Sequence, residues 1–199
     1  MSAECENRVR ERIVTTGTTL LSVAHFTTAM LRRLRENGPV VLVPLAWTFA
    51  IAAHLDVLAI RTVLIAHVVM DVILLAFVAL SWTDMRSGVL RAWKLVILVG
   101  FVLTTIGTVG LLQTPPTEPL LVLTVVGWLL VPAAGLAYTG QHVARSPRVY
   151  TTGAALSVLG ALVYAVAPVF DGGTTGLVAG LAVAGLGQTA GIVAAVRDY

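Results

Sequence analysis

AHLDVLAIRTVLIAHVVMDVILLA, residues 53–76, lies inside an apolar run and still carries His54, Asp56, Arg61, His67 and Asp71. The run extends from residue 39 to 82, about 44 residues, roughly twice what one membrane span needs at 1.5 Å per residue. Folding it into a helical hairpin gives two spans, 39–58 and 61–82. The turn is expected near Val57–Thr62 with Arg61 at its lip, although neither Gly nor Pro marks it.

The rest of the chain agrees with a membrane setting. Only 12% of its 199 residues are charged, against about a quarter in a soluble domain, and the mean hydropathy is +0.91. Such depletion follows when most of the surface faces lipid. Four more stretches have span length: 92–112, 119–139, 149–168 and 174–196, with QTPPTEP and DGGTTG as turns between them. The stretch 13–31 has six threonines, Ser22 and His25, so it either spans inside a bundle or lies in the interface as an amphipathic helix. The expected fold is an all-α, polytopic transmembrane bundle forming one domain over 1–199. It has seven spans, or six if the first segment is interfacial. The N-terminus alternates charges and is not built like a signal peptide.

Basic residues follow alternate spans. Arg32, Arg33 and Arg35 follow the first, Arg86, Arg91 and Lys94 the third, Arg145 and Arg148 the fifth, and Arg197 the seventh; the other loops hold only Arg61. Basic loops mark the cytoplasmic side, so the expectation is a cell-membrane protein with a cytoplasmic C-terminus.

The ionisable groups of the opening stretch suggest a site. A hairpin centred near residue 60 puts His54 and His67 opposite each other, with Asp71 one turn deeper than His67 on the same face. His25 falls near mid-depth if segment one spans. Such groups in lipid usually face the interior and mark proton or ion paths, so His54, His67, Asp71 and His25 are the candidate path. His54, His67 and Asp71 also suit a transition metal, and His25 with His54 or His67 suits haem. The plainer alternative pairs Asp56 with Arg61 at the headgroups, and His67 with Asp71 as a packing lock.

Other features limit the function. Covalent retinal is excluded: microbial rhodopsins share seven spans and this orientation but hold retinal on a lysine of the last helix, and the only lysine here, Lys94, opens the fourth span. A net charge of +3, spread along the chain, is not a nucleic-acid signature. Cys5 has no partner for a disulfide, and no hydrolase, zinc-protease or phosphate-loop motif is present, so no enzyme activity is implied. Small residues recur at Gly176, Gly180 and Ala184 and at Gly187, Gly191 and Ala195, so the last span is expected to pack on two sides, and such faces also suit homo- or hetero-oligomers. Gln188 should bond a neighbouring helix, and Pro44 and Pro132 should open their helices' hydrogen-bond ladders. Three classes therefore remain: a protein handling protons, ions or a small solute, such as a transporter; a redox component with haem or metal; and a sensor, anchor or accessory subunit. The lipid bilayer is the partner common to all three.

Overall fold

Turn chemistry, more than hydropathy, sets where the helices end. A computed structural model describes residues 38–170 and 172–198, and all regular structure among them is helical. The helices are α1 (Gly38–His54), α2 (Ile60–Ser81), α3 (Gly88–Leu112), α4 (Glu118–His142), α5 (Pro147–Val166) and α6 (Gly173–Asp198). The chain divides into two units, Met1–Pro39 and Val40–Tyr199, and the packing described below is that of the second. α2 to α6 are long and apolar enough to cross a membrane, and α1 is a shorter apolar helix. This is a multi-pass membrane protein. Seven spans are not established, because the stretch 13–31 and its His25 lie outside the described residues.

The span read as 39–58 stops at His54. Asp56 adopts a left-handed conformation (φ 55°), which aspartate tolerates better than most residues, so it turns the chain where no Gly or Pro stands. The N–H groups of Leu55, Asp56 and Val57 fold back onto the carbonyls of Ile51, Ala53 and Ala52. α5 likewise ends two residues before Pro168, whose ring disfavours helix at the residue preceding it. α3 and α4 instead run past their apolar windows, to Gly88 and His142, because backbone hydrogen bonding continues after lipid contact stops.

α2 to α6 each pack against the next, and α4 also touches α6. The tightest pairing is α5 with α6. A Cβ at Gly153 would lie 2.6 Å from the Gly187 carbonyl oxygen, and one at Gly160 would collide with that of Gly180. Two glycines seven residues apart on each helix thus bring the backbones together. The remaining small residues of α6 receive other neighbours: Gly185 lies against Trp47 of α1, and Gly191 against Leu136 of α4. These faces are therefore occupied within one chain.

α1 completes the centre. Trp47 and Ile51 pack on Leu129, Ala161, Tyr164, Leu181 and Ala184. The outer surface is the reverse of a soluble protein's, with Val72, Leu75, Leu162 and Leu186 all exposed.

One polar node crosses this core. Pro132 has no N–H to give the carbonyl of Trp128 four residues earlier, and an unpaired carbonyl is unfavourable away from water. Gln188 of α6 closes the gap: its Nε2 donates to the Trp128 carbonyl at 3.1 Å and approaches that of Leu129 at 3.4 Å. Its Oε1 accepts from Trp47 Nε1 at 3.2 Å. The Trp128 ring in turn donates to Thr104 of α3 at 3.1 Å. The amide pins α1, α4 and α6 together, and the Trp128 ring extends the node to α3.

Two outcomes are expected. Gly160→Ala should lower the unfolding temperature in detergent, with overpacking costing about 1–3 kcal/mol, while Gly38→Ala, which meets open space, should not. Equal melting of Gly160→Ala and wild type would contradict the close approach. Gln188→Leu should destabilise by about 1–3 kcal/mol for the stranded carbonyl, and by less in a Pro132→Ala background that restores the N–H. Additive losses in that cycle would show that Gln188 does not serve the proline gap.

Candidate functional site

Asp71 lies halfway along α2, eleven residues from Ile60, or roughly 16 Å along the axis. It does not bond His67. Its carboxylate faces α3, where Thr105 Oγ1 lies 3.2 Å from Oδ1 and Thr108 Oγ1 lies 3.1 Å from Oδ2. Thr105 and Thr108 are three residues apart and so share a helix face. Asp71 and Thr108 are half-buried and Thr105 is exposed, so the outer side of the cluster is open.

His67 sits on the same face one turn nearer the 55–59 loop. Its ring packs against α3 at Gly107, where a Cβ would come within 3.0 Å of His67 Cδ2 and equally close to Thr124 of α4. Glycine there leaves room for both the imidazole and Thr124. His67 Nδ1 is 3.0 Å from the Val63 carbonyl. A carbonyl only accepts, so Nδ1 carries the hydrogen, and Nε2 of the neutral ring is an acceptor with no partner among the described residues.

His54 has different company. Its Nδ1 donates to the Ala50 carbonyl at 2.8 Å, and Nε2 accepts from the Tyr164 hydroxyl of α5 at 3.0 Å. The rings meet edge to face, with centroids 5.6 Å apart. Both imidazole nitrogens are engaged, which joins α1 to α5. The expected pairing of His54 with His67 across a hairpin is not what the chain builds. The reason is packing: α1 is drawn into the α4–α5–α6 centre by Trp47 and Ile51, whereas α2 packs on α3. Asp56 and Arg61 are exposed, and no ion pair joins them. Among the described residues no three His, Cys, Asp or Glu side chains converge as metal ligands, so His54, His67 and Asp71 do not form one metal site.

Sequence reasoning missed the partners that decide each environment. Tyr164 gave no signal. Thr105 and Thr108 did, as hydroxyls at helical spacing in TTIGT within an otherwise apolar span.

The polar side chains of the α2–α3 seam are His67, Thr108, Asp71 and Thr105. Beyond Asp71 it closes on Leu74 and Val78, both buried. No family model, curated protein or solved structure matches the chain.

Tyr164→Phe should strip His54 of its donor and lower stability by about 1 kcal/mol, read as thermal unfolding in detergent. An unchanged unfolding temperature would mean that the bond does not hold α1 to α5.

Proposed function

We propose that this chain is a multi-pass integral protein of the cell membrane that takes up and releases protons at Asp71, with His67 as the group nearest the entrance. The observation that carries this reading is a carboxylate at mid-span held by two hydroxyls rather than by a cation. A charge at that depth is unfavourable by several kcal/mol unless compensated, and side chains kept there in spite of the cost commonly serve transport or sensing. Hydroxyls suit the task because each can donate to a carboxylate or accept from a carboxylic acid. His67 adds an acceptor nitrogen one turn away.

The charge pattern gives this path a direction. The 82–87 and 143–146 loops and the end of α6 lie at one end of the bundle, with Arg86, Arg91, Lys94, Arg145, Arg148 and Arg197 in or beside them. Lys94 Nζ lies 4.5 Å from the ring centroid of Trp82, a pairing suited to the membrane interface. Among the described residues, the opposite end has Arg61 as its one basic side chain. On the positive-inside rule the basic end is cytoplasmic, as is the C-terminus, and Asp71 is reached from outside. Leu74 and Val78 then form the barrier that a transport cycle would have to open.

In vesicles enclosing a pH-sensitive dye, the wild-type protein should collapse an imposed pH gradient faster than protein-free vesicles. Asp71→Asn, which keeps polarity but carries no proton, should abolish the effect while still folding, whereas Tyr164→Phe should retain it. Full activity in Asp71→Asn would end this reading.

A further inference from the structure

The hydrogens around Asp71 are too few for its contacts. Thr105 Oγ1 lies 3.2 Å from the carboxylate and 2.9 Å from the Phe101 carbonyl. Thr108 Oγ1 lies 3.1 Å from the carboxylate and 3.0 Å from the Thr104 carbonyl. Each hydroxyl has a single hydrogen, so two hydrogens face four acceptor oxygens. If the hydroxyls donate back to their own helix, as threonine in apolar helices does, their lone pairs are turned on those of an ionised Asp71. Something positive then has to lie between them.

We propose that a sodium ion fills this place when Asp71 is ionised, and that the proton of Asp71 fills it otherwise, so that sodium and protons compete for one site. The inference rests on the reading of Asp71 as the working group and names a second occupant for it. Four features select that occupant. The donors are all oxygen, two from the carboxylate and one from each hydroxyl, which suits a hard cation rather than a soft or imidazole-seeking metal. The one carboxylate balances one charge, and a divalent ion would leave an uncompensated charge at mid-bilayer. The exposed side at Thr105 leaves room for water to complete the ion's shell.

The fourth feature is that, among the described residues of α2 and α3, no fixed cation competes near Asp71. α3 carries Arg91 and Lys94, and Lys94 is roughly 16 Å along the axis from Thr105. Arg61, on α2 itself, is about 15 Å from Asp71. His67 is the titratable neighbour on this face, and its Nδ1 hydrogen is committed to Val63.

The test is calorimetric titration of the full chain in detergent with sodium chloride, at constant ionic strength set by choline chloride. At alkaline pH the wild type should give a saturable sodium heat that weakens as the solution is acidified. Asp71→Asn should give none. T105V/T108V, which keeps shape and removes both hydroxyls, should bind at least about tenfold more weakly, and T105S/T108S should bind like wild type. If the double valine variant does not fold, T108V alone should show an intermediate loss. Absence of a saturable heat in the wild type, or wild-type affinity in the valine variants, overturns the inference. If Asp71-dependent collapse of the pH gradient survives that result, proton handling stands and the sodium site falls; if Asp71→Asn changes neither readout, both fall.

Discussion

A carbonyl without a donor is tolerable at a protein surface, where water supplies one, and costly in hydrocarbon, where nothing does. Pro132 creates such a carbonyl at Trp128, and the amide of Gln188 answers it. Much of the packing follows from placing that amide correctly. α6 has to approach α4 closely, which Gly191 permits against Leu136. α5 has to stay against α6, which the glycine pairs along both helices permit. The amide's own oxygen then needs a donor, and Trp47 of α1 supplies it. The shorter apolar helix is thereby fixed in the centre through Trp47 and Ile51. Dispersion and shape hold α5 to α6; hydrogen bonding decides where α1 and α4 sit.

The α2–α3 seam obeys the same constraint with a different outcome. Between α3 and α4, Trp93 donates to Thr139 and Trp128 to Thr104, each threonine hydroxyl donates in turn to its own helix, and those contacts are complete. Around Asp71 the contacts outnumber the hydrogens, and at His67 an acceptor nitrogen is unpaired among the described residues. The chain therefore has one region where polar groups meet specific partners and another where, on the reading proposed, a proton or cation completes the match. The first holds the bundle together, and the second is where chemistry is to be sought.

Apolar composition and run length made the helices legible in the sequence. The 44-residue run had to fold back, and its turn fell at residues 55–59, next to where it was expected, because Asp56 is a residue that can take the left-handed conformation. What the sequence did not disclose was lateral order. A hairpin drawn on paper sets His54 beside His67, but side-chain volume on the other faces of α1 decides which helix it meets. Trp47 needed the groove above Gly185, and that choice carried His54 to Tyr164. Asp71 was recognised from its depth alone; its hydroxyl partners lay in plain view in α3, at a spacing that reads equally well as helix packing. The small residues of α6 were read correctly as packing faces, and the seven-residue spacing that matches those of α5 emerges only when the two helices are seen together.

The central claim is that Asp71 exchanges a proton at mid-membrane within hydrogen-bond reach of Thr105 and Thr108. Infrared difference spectroscopy of the protein in lipid, recorded as pH is raised in sodium-free buffer, reads this directly through the carboxylic C=O stretch. The account predicts a carboxyl band that disappears on raising the pH, is missing from the difference spectrum of Asp71→Asn, and shifts in T105V/T108V as its hydrogen bonding changes. Identical spectra for wild type and Asp71→Asn would mean that this carboxyl group exchanges no proton, and would contradict the account.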